Sequence, residues 1–160
     1  AQLFADAFAG STDFRFASVG IPHPSGQEPG IILDFTDAVT FQAELSLLTT
    51  NGGGHEPSWD GPYMACGETL GLGWSTDTDT RRYVILFTDE TGQSFDGVNE
   101  NDVANMCHAY DVTFYGFIKS NFWSAFDDIA SLTGGDLYDL GSSSQMEEDL
   151  SEIFSDECWE

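Results

Sequence analysis

Two acidic residues stand at the end of a short apolar run, where they could take part in ligand binding. Residues 81–93 read RRYVILFTDETGQ, so the run ends in Thr88, Asp89 and Glu90. An apolar run rich in β-branched and aromatic residues predicts a strand buried on both faces. A carboxylate where such a strand leaves an open α/β sheet can face the crevice in which these sheets bind ligands. A polar loop without a binding role explains the same three residues equally well at this point.

A second polar loop supplies further oxygen-bearing side chains. Residues 49–57 read TTNGGGHEP, and three consecutive glycines permit positive φ and close backbone approach. His55, Glu56 and Ser58 then lead into a predicted helix. Hard cations such as Mg²⁺ and Ca²⁺ bind oxygens of carboxylates, hydroxyls and water. Asp89 and Ser58 alone are too few ligands, so a cation site here requires a third loop.

The elements that would position these loops alternate between strand and helix along the chain. Strands are predicted at residues 14–21, 31–35, 83–87, 111–118 and 137–140. Helices are predicted at residues 1–10, 37–48, 58–70, 102–110, 121–132 and 142–154, with the caps at Thr36 or Asp37 and at Ser142 or Ser143. This alternation predicts one α/β domain, residues 1–160, with a doubly wound, mostly parallel sheet flanked by helices and right-handed crossovers.

The charge balance excludes several classes of partner. The chain has 28 Asp and Glu against 4 Lys and Arg, a formal net charge of −24. Such a field repels nucleic acid and anionic lipid, so neither is expected as a direct partner. Self-repulsion at this charge is relieved by high salt or by divalent cations, as in an extracellular medium. The sequence holds no run of about 18 apolar residues, so direct membrane insertion is not expected, and no signal peptide is visible.

The cysteines leave two interpretations open. Cys66, Cys107 and Cys158 form no CxxC motif, and their number permits at most one internal disulfide with one thiol left over. Buried free cysteines are the alternative.

The order of these motifs resembles the von Willebrand factor type A domain. The resemblance is carried by TTNGGGHEP before a helix, RRYVILFTDE, VTFYGFI, and IASLTGGDLYDL before a final acidic helix, and it covers residues 4–154. The glycine loop is most similar to those of bacterial and integrin-β-like members. The resemblance implies a Rossmann-like type A domain that binds Mg²⁺ or Ca²⁺ at a metal-ion-dependent adhesion site built by three loops.

Carried over by position, the resemblance implies a set of metal ligands. Asp89 matches the aspartate of the third loop. Ser58 falls on the ligand of the second loop, where a serine is a departure because it lacks the carboxylate charge, and Glu56 could substitute for it. The neighbouring residues of these loops are predicted to line the ligand-binding surface: Gly54, His55 and Glu90.

The motif of the first loop, Asp-x-Ser-x-Ser, does not occur in the chain. Residues 142–144 are three serines, but they follow the last strand and are typical of a helix cap. In the family this motif lies on the first, central strand. The resemblance therefore implies that the first central strand is absent from these 160 residues. Either the chain is a fragment, incomplete at its N-terminus, or the strand comes from another polypeptide, separated by cleavage or belonging to a partner; we expect a separate segment or chain to supply it. Direct pairing of the strands at 14–21 and 83–87 would contradict this.

The resemblance also bears on the cysteines. It implies that Cys66 and Cys107 lie on helices that flank the strand at 83–87, on one face of the sheet, where they could form a disulfide. Cys158 would then approach the start of the domain and find its partner in the missing segment. Such bonds imply an oxidising, extracellular setting.

These expectations describe a cell-surface or secreted adhesion module that binds a protein ligand or neighbouring subunit through a divalent cation. The alternative is a structural or assembly module whose site is degenerate and metal-free. An enzyme is not expected, because the sequence has no Gly-x-Ser-x-Gly motif, no P-loop and no plausible Ser-His-Asp set.

Overall fold

Strands and helices alternate from residue 82 onward, as the apolar patterns predict, whereas the first two described strands follow one another and pair antiparallel. The computed structural model describes residues 14–23, 28–45, 55–67 and 69–157. In chain order the elements are β1 (Phe16–Gly20), β2 (Gly30–Thr36), α1 (Ala38–Leu45), α2 (Asp60–Cys66), β3 (Arg82–Thr88), α3 (Glu100–Ala109), β4 (Val112–Ile118), a 3₁₀ helix (Ser120–Ala125), α4 (Asp127–Thr133), β5 (Leu137–Asp139) and α5 (Ser143–Glu157). The predicted α/β fold class is confirmed.

The larger sheet consists of β3, β4 and β5 in that order, all parallel. The register pairs Arg82 with Val112 at one end of β3 and Thr88 with Ile118 at the other. Helices α3 and α4 connect consecutive strands, which is the βαβ arrangement of a Rossmann-like fold. The carboxyl ends of the three strands consequently meet at one edge.

The smaller sheet is the antiparallel pair β1–β2. Its register runs from Phe16 opposite Thr36 to Gly20 opposite Gly30. Among the described strands, β1 and β3 belong to different sheets, so the direct pairing that would contradict a missing central strand is not found there.

The core lies on both faces of β4, and six of the seven residues of this strand are buried. On one face, Phe114 packs with Val103 of α3 and Ile129 of α4, all fully buried. On the other face, Phe117 packs with Ile153 of α5. A strand covered by helices on both sides is apolar at consecutive positions, which explains the VTFYGFI stretch.

A disulfide joins α2 to α3. The Sγ atoms of Cys66 and Cys107 are 1.99 Å apart, and both residues are buried in the larger core cluster. The pairing that the resemblance implies is therefore present. Cys158 lies outside the described residues, as do the predicted helix at 1–10 and residues 49–54 of the glycine loop.

One expectation for β3 is wrong: the strand is not buried on both faces. Leu86 and Thr88 are buried, but the side chain of Phe87 is 47% exposed. The reason is the position of β3, which is the outer strand of its sheet in the described part of the chain.

Two predicted helices are shorter than their apolar patterns indicate. The helix predicted at 58–70 spans only Asp60–Cys66, because the backbone becomes extended at Gly67. The helix predicted at 121–132 divides into a 3₁₀ helix and α4 at Phe126, whose φ of −141° interrupts the helical path. Phe126 is fully buried, so core packing outweighs helical continuity there. Gly134, at φ 79°, ends α4 in the left-handed conformation.

Side-chain caps mark the starts of three further helices, α1, α3 and α5. Asp37 Oδ1 accepts hydrogen bonds from the backbone N–H groups of Val39 and Thr40, so Asp37 caps α1. The bonds from Thr40 lower the pKa of the Asp37 carboxyl. Ser142 Oγ accepts a bond from a backbone N–H in the first turn of α5. Helix α3 begins earlier than predicted because Asn99 forms a capping box with its first turn.

No described helix combines the length and apolar character that crossing a membrane requires.

Candidate functional site at the carboxyl edge of the sheet

The ends of β3 and β4 place Asp89 and Lys119 side by side. Thr88 and Ile118 are register partners, so the residues that follow them leave the sheet together. Lys119 Nζ lies 3.1 Å from Asp89 Oδ2. The Lys119 side chain is 50% exposed and the Asp89 side chain 54% exposed. The carboxylate singled out in the sequence is thus reachable from solvent and paired with the only lysine of the chain.

Glu56 joins this edge through a hydrogen bond to β3. Thr88 Oγ1 donates to Glu56 Oε2 at 2.9 Å and accepts from the backbone N–H of Glu90 at 3.1 Å. Thr88 itself is buried. One hydroxyl therefore holds the carboxylate of the second loop beside the residue that precedes Asp89. The two loops that the sequence predicted to converge do meet.

Ser58 has a different position from the one that a solvent-facing ligand would take. It is fully buried, its Oγ donates to the carbonyl of Thr91 at 2.9 Å, and it accepts from the backbone N–H of Gln93 at 3.1 Å. A hydroxyl has one donor and two acceptor positions, so one lone pair remains. The observed contacts of Ser58 tie the loop before α2 to the loop after β3.

The predicted ligand-binding residues have separate environments. The ring centroid of the exposed His55 lies 4.6 Å from the ring centroid of Phe95, a residue that is 42% exposed. Glu90 Oε2 accepts a hydrogen bond from Gln93 Nε2 at 3.2 Å. Gly54 lies outside the described residues. Within residues 14–157, as far as they are described, no three His, Cys, Asp or Glu side chains gather closely enough to hold a metal ion.

Sequence reasoning missed Asp60, which holds the loop after β3 in place. The carboxylate is fully buried and accepts hydrogen bonds from Ser94 Oγ and from the backbone N–H of Phe95, the latter at 2.7 Å. Ser94 Oγ in turn accepts from the backbone N–H of Val98 at 2.9 Å. A buried carboxylate is stable only when it is hydrogen-bonded in this way. In the sequence, Asp60 is typical of an acidic residue in the first turn of a helix. No local pattern indicates that its side chain is buried.

Trp59 fixes the same loop from the other side. Its Nε1–H donates to the carbonyl of Ala125 at 3.0 Å, and its backbone N–H donates to the carbonyl of Gln93 at 3.0 Å. A Cβ at Gly92 would collide with the Trp59 ring. Glycine is therefore required at this position, and the loop that carries Glu90 has a defined path.

The third strand contributes one more carboxylate to the edge. Asp139 Oδ1, at the end of β5, accepts a hydrogen bond from the backbone N–H of Ser120 at 2.8 Å. This bond anchors the start of the 3₁₀ helix immediately after Lys119. The carboxyl edge is thus an acidic surface with one ammonium group in it.

Comparison with known proteins supports the fold. No protein-family model and no curated protein matches the chain. Among solved structures, the chain is similar to an aerotolerance-related membrane protein from Bacteroides fragilis NCTC 9343 that carries multiple mutations to serine. The TM-score is 0.67 at 9% sequence identity, over 94% of this chain and 84% of that chain. At this identity the likeness shows the fold alone, and it agrees with the Rossmann-like α/β architecture.

Proposed function

We propose that this chain is a type A-like protein-interaction module whose binding surface is the carboxyl edge of β3 and β4. The observation that supports this surface is the hydrogen bond between Thr88 and Glu56, which holds a carboxylate of one loop next to Asp89 of another. Two carboxylates from separate loops, one of them more than half exposed, give the edge the polar groups that a binding surface needs.

In this proposal a divalent cation links the edge to an acidic group of the partner. The side-chain oxygens at this edge are of the chemical kind that such an ion binds, because Mg²⁺ and Ca²⁺ prefer carboxylate and hydroxyl oxygens. Asp89 and Glu56 would hold the ion, and Ser58 has one lone pair left for it. The remaining ligands would come from water, from the partner, and from the third loop that the type A resemblance requires.

The proposed setting is extracellular or at the cell surface, and the proposed role is binding without catalysis. The Cys66–Cys107 disulfide supports an oxidising compartment. The net charge of −24 is best tolerated where salt or divalent cations screen it. The structural neighbour is described as a membrane protein, which is compatible with a module that works beside a membrane.

A metal-free module is the second candidate, and Lys119 favours it. Its ammonium group lies at hydrogen-bonding distance from Asp89 and supplies the positive charge that a cation would otherwise provide. The domain would then act by packing within an assembly.

Calorimetric titration with MgCl₂ and with CaCl₂, together with melting in the presence and absence of EDTA, separates the candidates. We expect a dissociation constant of about 10⁻⁴–10⁻³ M, as in extracellular calcium modules. Asp89→Asn and Glu56→Gln should abolish the binding heat. Asp79→Asn is the matched control, because it removes one exposed carboxylate from the turn before β3.

Two results would decide against a cation site. If the wild-type chain shows neither binding heat nor a response to EDTA, the metal-free module is supported. If Asp79→Asn weakens binding as much as Asp89→Asn, the ions act only as screening counter-ions.

A further inference from the structure

A cavity of about 360 Å³ lies at the amino end of β3, where Arg82 of that strand, Tyr110 after α3 and Cys66 of the disulfide line it. Arg82 and Val112 are register partners at the amino ends of β3 and β4. Thr88, at the other end of β3, lies about 20 Å away along an extended strand. The cavity is therefore remote from the carboxyl edge, and its volume is within the range of about 300–1,000 Å³ that is usual for small-molecule sites.

Carbonyl groups hold the Arg82 guanidinium in the cavity wall. Nη1 donates to the carbonyl of Tyr110 and Nη2 to the carbonyl of Ser75, each at 2.8 Å. A guanidinium has five N–H groups, so three remain after these two bonds. One of the three is on Nε, an atom that is buried and has no hydrogen-bond partner. The two carbonyl bonds thus fix the position of the guanidinium and leave donors unused.

The charge of Arg82 has no direct counter-charge. Within the described ranges, no Asp or Glu side chain lies at ion-pairing distance from it, although the chain has 28 acidic residues. Buried polar groups are ordinarily hydrogen-bonded, and cations removed from water are ordinarily paired. An anionic group that enters the cavity would supply both the acceptor and the counter-charge.

Much of the remaining wall is apolar. Leu72 and Trp74 line the cavity together with Tyr110. The Trp74 Nε1–H donates to the carbonyl of Ala65 at 2.9 Å, and the Trp74 ring centroid lies 4.7 Å from that of Phe35. These two contacts fix the indole, so an apolar wall of defined position stands in the same cavity as the guanidinium.

The loop between α2 and β3 holds its shape through its own hydrogen bonds. The backbone N–H of Gly73 donates to Asp34 Oδ1 of β2 at 3.2 Å. Ser75 Oγ lies 3.1 Å from Thr80 Oγ1, at hydrogen-bonding distance. A cavity that is formed before the ligand arrives loses less conformational entropy on binding.

A single guanidinium beside apolar walls favours a carboxylate over a phosphate. The net charge of −24, with Asp77 and Asp79 in the turn that follows this loop, repels a dianion about twice as strongly as a monoanion. Guanidinium and carboxylate groups also match in geometry, because two parallel N–H groups can bind both oxygens. The preferred ligand is therefore a monoanion with an apolar body.

We propose that this cavity binds a small carboxylic acid whose body is aromatic or branched and apolar. The carboxylate accepts hydrogen bonds from the unused N–H groups of Arg82, and the apolar body packs against Leu72 and Trp74. This site is independent of cation binding at the carboxyl edge.

The test uses the full chain with 3-phenylpropionate as probe and the neutral alcohol 3-phenylpropanol as its matched control. Titration calorimetry measures affinity, and the NMR resonance of the Trp74 indole N–H, assigned by its loss in Trp74→Phe, locates the ligand. We expect a dissociation constant of about 10⁻⁴–10⁻³ M for the carboxylate, ordinary for a ligand of about ten heavy atoms. The alcohol should bind at least about tenfold more weakly, and MgCl₂ or EDTA should not change either affinity.

Two variants test the two parts of the cavity. Arg82→Gln should weaken binding of the carboxylate by about tenfold or more and leave binding of the alcohol unchanged. Arg81→Gln removes the same charge from the exposed neighbouring position and should change the affinity by less than about twofold. Leu72→Trp keeps Arg82 and fills the cavity, so it should abolish binding of both compounds, with circular dichroism confirming that the variant is folded.

Three outcomes would overturn the proposal. One is that 3-phenylpropionate neither produces binding heat nor shifts the Trp74 indole resonance. Another is equal affinity for the carboxylate and the alcohol, because the guanidinium then has no part in recognition. The last is unchanged binding in folded Leu72→Trp, because the ligand then binds elsewhere.

Discussion

Lys119 Nζ lies 3.1 Å from Asp89 Oδ2, at the adjoining carboxyl ends of two parallel strands. An exposed ion pair of this kind contributes only about 0–1 kcal/mol to stability. In the proposed cation site, the lysine and a divalent cation would compete for the same carboxylate. The ion pair would then limit how strongly Asp89 could bind a metal ion.

Replacing this lysine should strengthen divalent-cation binding. In Lys119→Met, Asp89 loses a competing cation, and affinity for Mg²⁺ or Ca²⁺ should rise by up to about fivefold, the equivalent of 1 kcal/mol. Titration calorimetry measures the change. Arg15→Met is the control, since it removes one exposed positive charge from the residue before β1. Equal effects of the two variants would mean that only net charge matters.

Asp60 should contribute more to stability than any exposed carboxylate. In Asp60→Asn, one oxygen that accepts a hydrogen bond from Ser94 or Phe95 becomes an N–H₂ group facing a donor. We expect a loss of about 1.5–3 kcal/mol in the free energy of unfolding, the usual range for hydrogen bonds to charged groups. Denaturant unfolding measures this loss, and Asp96→Asn in the neighbouring exposed loop is the control.

Asp60 and Ser94 should also be coupled. If their contact holds the loop, Ser94→Ala and Asp60→Asn together should cost less than the sum of the single changes. Additive costs would show that the two side chains act separately.

The disulfide should be a large contributor to stability. The bond closes a loop with a sequence separation of 41 residues. The chain-entropy relation gives about 4 kcal/mol for a loop of that length. The double variant Cys66→Ala, Cys107→Ala should lose stability of this order in denaturant unfolding. Addition of dithiothreitol should destabilise the wild-type chain and leave the double variant unchanged; a response of the double variant would indicate another bond.

Glu100 should make stability depend on pH. Burial raises the pKa of the Glu100 carboxyl, opposed by a hydrogen bond from the Asp128 backbone and reinforced by the charges of Asp128 and Asp127. The folded state therefore holds this proton more tightly than the unfolded state, so ionisation lowers stability as pH rises through the raised pKa.

Glu100→Gln should consequently raise the melting temperature at neutral pH, by less than about 2 °C for a domain of this size. The gain should disappear when the pH falls below the pKa of an ordinary glutamate, since Glu100 is then protonated in both states. Melting curves across this range check the trend. Glu148→Gln, an exposed position on α5, is the control and should not reproduce this pH dependence.

Much of the architecture is encoded in local patterns that a reader of the sequence can recognise. The apolar VTFYGFI run predicted a strand, and β4 is a strand there, buried at six of its seven positions. Gly134 closely follows the helix predicted at 121–132, and α4 ends at this residue because glycine adopts positive φ without strain. The order of strands, helices and glycine loops also pointed to convergence of the Glu56 and Asp89 loops at one sheet edge.

Contacts between residues distant in sequence could not be predicted in this way. The burial of Asp60 depends on Ser94 and Phe95, which lie 34 and 35 positions further along the chain. The division of the helix at Phe126 depends on a core assembled from other elements. No local periodicity in the sequence indicates either arrangement, because both follow from how the elements pack together.

The sequence by itself determined the class of fold, the position of Asp89 at the end of a strand, and the acidic character of the surface. Only the tertiary structure decided which groups surround that carboxylate. It placed Lys119 beside Asp89 and bonded Glu56 to Thr88, but it buried Ser58 between two loops. The physical reason is that apolar periodicity sets each element separately, whereas the neighbours of a side chain depend on the register and packing of several elements at once.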